Sequence, residues 1–478
     1  MPHTLIRGGT VVGPTGSTPA DVLVDGEQVA ALLRPGDTSL GADLAATAER
    51  VIDATGKYVI PGAVDCHTHM ELPFGGTNAS DTFETGTRAA AWGGTTTIVD
   101  FAVQRTGERV QDGLAAWHAK ADGRCAIDYG FHQILGGVDD DSLKAMDELV
   151  TEGITSFKLF MAYPGVFYSD DGQILRAMQK ARDNGSVIMM HAENGIAIDV
   201  LVREALDRGD TAPYFHGTSR PWETEEEATH RAIMLARLTG APLYVVHMSA
   251  KQAVATLAQA RDEGHNVFGE TCPQYLYLSL EEQLGARSDE WGDFEGAKWV
   301  CSTPLRSRAE GHQDELWRYL RTGDLSVVST DHCPFCMKEQ KELGLGDFAK
   351  IPNGIGGVEH RLDLLYQGVV DGRISRERWV ELCCTTPARM FGLDGRKGVL
   401  APGADADVVV YDPAGRTSIG YGKTHHMSMD HSAWEGFEVD GHVDLVMSRG
   451  RVVVEDGTYH GSPGHGRFLR RGLSAYLR

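Results

Sequence analysis

Gly62-Ala63-Val64-Asp65-Cys66-His67-Thr68-His69 is an apolar run that ends in two histidines one residue apart. Read as a strand, residues 64 to 69 alternate between faces, so His67 and His69 point the same way, about two residue-rises apart. Two imidazoles so placed can grip one divalent ion, with further ligands from distant parts of the chain and one position left for water. By itself the pair fits core or surface histidines with no metal equally well, so the weight falls on its surroundings.

The run is the first of eight strand-like stretches: Ala63-His67, Thr95-Phe101, Ala126-Phe131, Ser156-Phe160, Val187-His191, Leu243-His247, Val267-Thr271 and Leu325-Asp331. Helical patterns fall between most of them, at Thr82-Trp92, Ser142-Glu152, Gln173-Asn184, Glu225-Thr239 and Lys251-Glu263, each with apolar residues three and four apart. Strand and helix in alternation predict an α/β protein, and eight units close most naturally into a (β/α)8 TIM-like barrel. Two further helices are expected after the last strand, at Val358-Val370 and Arg376-Cys384.

The two ends of the chain read differently. Residues 1 to 58 give short strands with Gly and Pro turns and no alternating helices: Thr4-Ile6, Thr10-Val12, Val22-Val24 and Val29-Leu33. Residues 398 to 457 have the same character, with Ala406-Tyr411 and Arg451-Val454 as strands. Neither piece has enough apolar face for a stable sheet, so both are expected to meet in one small β-sandwich domain beside a barrel of residues 59 to 397. The tail, 458 to 478, mixes basic residues with Phe468, Leu469, Leu473, Tyr476 and Leu477, which suits either docking on a neighbouring subunit or a frayed end.

Composition narrows the function classes. The 478 residues can bury a large core, and 67 acidic against 45 basic side chains give a net charge of -22. That balance argues against nucleic acid or an anionic membrane as partner. The start has no apolar core of signal-peptide length and no run of about eighteen apolar residues occurs, so a cytoplasmic protein is expected. Eight cysteines lack disulfide-framework spacing, and Cys333-Pro-Phe-Cys336 lacks the strand-then-helix entry of a redox motif.

In a barrel, residues at the C-terminal ends of the strands face one another across the mouth. The first strand brings His67 and His69 there, the fifth His191, the sixth His247 and the eighth Asp331. The fourth carries Lys158 among apolar neighbours, where an unpaired charge would be costly, unless it faces out to a solvated rim. Four imidazoles and a carboxylate exceed the three or so protein ligands of a mononuclear zinc site, so two metal ions are the economical explanation. An ammonium beside two dications would be strongly disfavoured, whereas a lysine carbamate would bring a negative, two-oxygen bridging group.

Residues 51 to 455 resemble the cyclic amidohydrolases of the dihydropyrimidinase and hydantoinase family, within the amidohydrolase superfamily of metal-dependent barrels. The resemblance is carried by Pro61-Gly-Ala-Val-Asp-Cys-His67-Thr-His69, Ser156-Phe-Lys158-Leu-Phe-Met-Ala-Tyr163, His191-Ala-Glu-Asn194, His247-Met-Ser, Glu270-Thr-Cys-Pro-Gln-Tyr, Ser329-Thr-Asp331-His-Cys-Pro-Phe and Gly403-Ala-Asp-Ala-Asp407. It implies two Zn2+ per subunit bridged by an N6-carboxylated Lys158, with His67, His69 and Asp331 on one ion and His191 and His247 on the other. It also implies a homotetramer that opens the ring amide of dihydropyrimidines or 5-substituted hydantoins to N-carbamoyl amino acids. In that chemistry Asp331 moves a proton to the leaving nitrogen, Tyr163 steadies the oxyanion, and Ser302 and Asn353 hold the ring's amide edge. Pro164 departs from the family pattern, since several relatives carry a lysine there.

Allantoinase and dihydroorotase-like activities are the enzymatic alternatives, and a non-catalytic scaffold that has lost metal ligands is the alternative of another class. All six ligand positions are filled here, against the scaffold reading. Dihydroorotase-like enzymes carry an arginine two residues after the second histidine. Glu71 stands there instead, expected to repel a carboxylated ring, followed by Leu72 and Phe74, which suit an uncharged substituent.

Overall fold

The structure is a computed structural model that describes residues 3–35 and 38–476. Eight parallel strands form its centre, each paired to the next in chain order. They are Ala63–Thr68, Thr95–Val103, Asp128–Ile134, Ser156–Phe160, Val187–His191, Leu243–Val245, Val267–Thr271 and Val327–Val328. Nearly every side chain along them is buried, as strands covered on both faces require. The sheet closes on itself where the first and eighth units meet. Thr68 bridges His332, and the His69 N–H donates to the His332 carbonyl at 2.8 Å. Below them the buried Arg361 guanidinium donates to the carbonyls of Val64 and Val328, both at 2.9 Å. The expected (β/α)8 barrel is therefore present.

The barrel helices begin where the sequence supplies side-chain acceptors. Thr82 caps Phe83–Trp92 in a reciprocal box with Thr85, and Asp170 does the same with Gln173 for Asp171–Asn184. Gly185 and Gly240, at φ 75° and 74°, end Asp171–Asn184 and Trp222–Thr239 in the left-handed conformation.

Three expectations change at the level of elements. The sixth strand stops at Val245 and the eighth spans only Val327–Val328, because His247 and Asp331 take positive φ, 38° and 50°, which ends an extended strand. The third strand starts at Asp128, two residues later than its apolar run, and continues to Ile134. Residues 1 to 58 are not purely strands, since Thr38–Thr47 is helical; its Leu44-Ala45-Ala46 stretch has high helix propensity, which the turn-rich flanks obscured.

The chain ends do combine. One sheet runs Thr458–Tyr459, Arg451–Glu455, Glu438–Ser448, Val408–Ser418, Tyr58–Pro61, Thr10–Gly13 and Gly16–Pro19, and a second holds Gln28–Leu33, Asp21–Asp25, His3–Arg7 and Arg50–Asp53. Ile6, Val22, Val24 and Ile52 from the second pack on Val59, Val408, Val410 and Met447 from the first, giving the β-sandwich a core of its own. Val409 and Tyr411, on the other face of the same strand, join the barrel's core, so this strand is apolar on both sides.

The tail folds back on its own barrel. Phe468 bridges Tyr129, Leu469 is fully buried, and Arg471 reaches the Phe131 carbonyl and Ser156 Oγ at the N-terminal end of the barrel. Phe468, Leu469 and Arg471 thus pack on this chain's own barrel floor, while Leu473 and Tyr476 stay partly exposed. Leu477 lies outside the described residues. All eight cysteines are free, and among the described residues no helix is long and apolar enough to cross a membrane.

Candidate active site and metal centre

Where the strands end, the barrel mouth brings the singled-out residues together. His69, Lys158, Tyr163, His191, His247, Ser302, Asp331 and Asn353 all line one cavity. His67 sits beneath them, its ring 5.1 Å from that of His69 and 5.4 Å from that of His247, and the His191 and His247 rings are 4.5 Å apart. Asp331 Oδ1 lies 3.1 Å from His67 Nε2 and 3.4 Å from His69 Nε2. Tyr163, His247 and Asp331 all take positive φ, 59°, 38° and 50°, a backbone conformation uncommon for non-glycine residues. The turn out of each strand is what aims these side chains inward.

Lys158 does not face out. Its Nζ is fully enclosed, 2.9 Å from His67 Nε2 and over the rings of Phe101 and Phe160. Burial lowers its pKa to about 8, so more of the amine is neutral near neutral pH than for an exposed lysine, about a tenth at pH 7. Burial alone would push the Asp331 carboxyl up, but His67, His69 and His247 hold it well below the usual carboxylate range. Burial, then the Lys158 ammonium, pulls His67 down, so its imidazole is neutral and able to donate a lone pair. Tyr163 is pushed up by burial and by Glu193, which keeps its phenol protonated as a donor.

The donor set fits a divalent metal. One ligand atom from each of His67, His69 and Asp331 lies within 4.8 Å of the others, the spacing of a shared ion. His67 Nδ1 is engaged by the Glu270 carboxylate, which turns Nε2 into the cavity, and His191 Nε2 meets Glu193 Oε2 at 2.7 Å. Carboxylate-backed imidazoles are the usual outer support of metal-binding histidines. Among the described residues His247 Nδ1 has no hydrogen-bond partner, an orphaned buried nitrogen beside the same cavity.

Some of these supports escaped the sequence reading. Glu270 figured there only as part of a motif, yet it also accepts from Tyr244 Oη at 2.9 Å, and burial raises its pKa to about 7. Its position at the end of the seventh strand was the available signal. Glu193, two residues beyond His191, offered less, since only the fold shows that its side chain turns back.

The substrate side is apolar. Leu72, Phe74, Ile134, Phe160 and Phe167 line the same cavity, with Phe74 edge-on to Tyr163 at 5.2 Å. Asn353 Nδ2 donates to Ser302 Oγ at 3.1 Å, so these two residues form one wall. Glu71 does not face the cavity as expected: its carboxylate accepts the Phe83 N–H at 3.3 Å, at the start of a helix.

Comparison with known proteins accords with this geometry. The family model described as "Amidohydrolase family" matches residues 58–453. The D-hydantoinase of Streptomyces coelicolor is 63% identical over 475 residues, 99% of each chain. That of Geobacillus stearothermophilus is 46% identical over 469 residues, 98% of this chain and 96% of its own. Among solved structures, a dihydropyrimidinase from Brevibacillus agri superposes with a TM-score of 0.93 at 45% identity, covering 99% of both chains. The chain therefore belongs to the amidohydrolase family, and within it to the dihydropyrimidinase and hydantoinase family of cyclic amidohydrolases.

Proposed function

We propose that this protein is a metal-dependent D-hydantoinase that opens the ring amide of 5-substituted hydantoins or dihydropyrimidines to N-carbamoyl amino acids. The observation that carries the reading is the convergence of four imidazoles, one carboxylate and one buried amine at a single cavity that also has apolar lining residues. His67, His69 and Asp331 would hold one Zn2+, His191 and His247 a second, and Lys158 would bridge them as its N6-carboxylate. The depressed pKa of Lys158 supports this, because only the neutral amine attacks carbon dioxide. Bound ions of this kind supply a Lewis acid for the ring carbonyl and lower the pKa of water toward neutrality.

The chain's own residues do the rest. Ser302 and Asn353 grip the ring's amide edge, while Leu72, Phe74 and Phe167 cover the substituent and exclude water. Asp331 accepts the proton of the attacking water and delivers it to the leaving ring nitrogen. The Tyr163 phenol donates to the oxyanion as it develops. The D preference follows the activity named for the two relatives cited. Eight free thiols suit a reducing, cytoplasmic setting, and the exposed Ile196, Val200, Met234 and Leu238 on two helices suit burial between subunits of a homotetramer.

A hydrolysis panel of dihydrouracil, hydantoin, the two enantiomers of 5-phenylhydantoin, allantoin and dihydroorotate tests the reading. Turnover of D-5-phenylhydantoin with little of dihydroorotate is expected. Preference for dihydroorotate or allantoin, or no turnover of any ring, would overturn it.

A further inference from the structure

Among the described residues, Lys341 is the one buried lysine that neither the metal cavity nor an acidic partner explains. It opens the short 3-10 turn Lys341–Gly344 and is fully enclosed. Its Nζ donates to the carbonyls of Val300 at 2.9 Å, Pro352 at 2.7 Å and Gly354 at 2.9 Å. Three N–H groups meet three acceptors, and among the described residues no carboxylate pairs with the charge. An ammonium buried without an anion is costly, and it is tolerated where every proton is satisfied.

The three acceptors belong to two segments, and each segment carries a residue of the cavity wall. Val300 is two residues before Ser302, while Pro352 and Gly354 flank Asn353, and Ser302, Asn353 and Gly354 all line the cavity. Apart from the ammonium, the segments are joined by the Gly354 N–H to the Val300 carbonyl at 2.9 Å and by Asn353 Nδ2 to Ser302 Oγ at 3.1 Å. The turn itself is held close. A Cβ on Gly344 would come within 2.6 Å of the Ile351 nitrogen, and the Met337 and Lys338 N–H groups are bound by Asp430 at 2.7 and 2.9 Å.

We propose that Lys341 is a positioning residue whose ammonium sets the spacing of the Ser302 and Asn353 segments and thereby tunes recognition of the ring's amide edge. This inference rests on the hydantoinase reading. Without the ammonium, the Pro352 and Gly354 carbonyls would lose this donor while the Val300 carbonyl kept only the Gly354 N–H, and the segments would part or rotate to find other donors. His67, His69, Lys158 and His191 sit on other strands, while Asp331 and His247 adjoin these segments through the Cys333 N–H to the Ile355 carbonyl at 3.1 Å and Thr303 Oγ1 to the His247 carbonyl at 3.0 Å, which is why metal content is followed in the test. Ground-state binding of the ring should then weaken while chemistry at saturation persists.

The test compares wild type, K341Q, which can still serve two carbonyls, and K341M, which serves none. Each is purified with its metal and assayed on hydantoin and D-5-phenylhydantoin, with metal content and melting temperature measured alongside. KM is expected to rise about tenfold in K341M and less in K341Q, with kcat within about threefold and metal content unchanged. Unchanged KM in both variants would overturn the proposal. So would a fall in kcat at constant KM, or failure of both variants to fold, which would make Lys341 a folding residue only. A wild type that opens neither ring would instead remove the reading beneath it.

Discussion

At the scale of single residues, the same histidines and aspartate that mark the mouth of the barrel also set one another's protonation. Against burial, the surrounding histidines hold Asp331 below the usual carboxylate range, while burial and the lysine beside it lower His67. Asp331→Ala should therefore abolish ring opening and leave the subunit assembly intact, as read by turnover and sedimentation; an unchanged rate would remove its role as proton carrier. Tyr163→Phe keeps the ring and loses the donor, so kcat should fall by about a hundredfold or more with metal content unchanged. A kcat equal to wild type would make Tyr163 a wall residue. The histidines and Asp331 were legible because strand alternation and strand polarity place polar ends together, whereas Tyr163 was singled out only through the family resemblance. Glu270 and Glu193 were not: Glu270 acts through a contact across the barrel to His67, and Glu193 acts through a side chain that turns back on His191, two residues before it.

At the scale of elements, hydrophobic runs located all eight strands, and their ends were the least legible part. The apolar stretch Leu243-Tyr-Val-Val246 continues past the point where His247 turns the chain, and Leu325 to Val328 is apolar for longer than it is extended. Backbone strain at these turns is a tertiary property, stabilised by the surrounding barrel rather than by the residues themselves. The tail shows the reverse case, where composition suggested a surface role and packing gave it a core one. Leu469 is fully buried against Val64, Ala388 and Leu393, and its N–H donates to the Tyr129 carbonyl at 2.7 Å. Leu469→Ala should cost about 3 kcal/mol, seen as a lower urea midpoint and melting temperature. A variant as stable as wild type would mean that the tail contributes nothing to the barrel floor.

At the scale of the whole molecule, barrel and sandwich share buried polar links that couple their stability. Lys397 pairs with Asp128 of the third barrel strand and with Asp405 and Asp407, while Arg449 joins Asp128 from the sandwich side. Tyr411 Oη donates to Asp363 Oδ1 at 3.0 Å, linking a sandwich strand to helix Arg361–Val370. Burial raises the Asp363 pKa to about 7, above an unfolded value of about 3.9. Its neutral form contributes stability that is fully present below the unfolded pKa and lost as pH rises through about 7. Asp363→Asn should flatten that decline between about pH 4 and 7 in denaturant titrations, and an identical profile would assign the pH dependence elsewhere. That the two chain ends meet in one sandwich was legible from their shared lack of apolar surface; the helix Thr38–Thr47 and these inter-domain links were not.

The account as a whole turns on metal at the barrel mouth, and the most direct measurement is turnover of D-5-phenylhydantoin against metal content. Two equivalents of Zn2+ per subunit, loss of activity in step with their removal by chelator, and recovery on adding zinc are predicted. Full turnover by protein stripped of metal would contradict it.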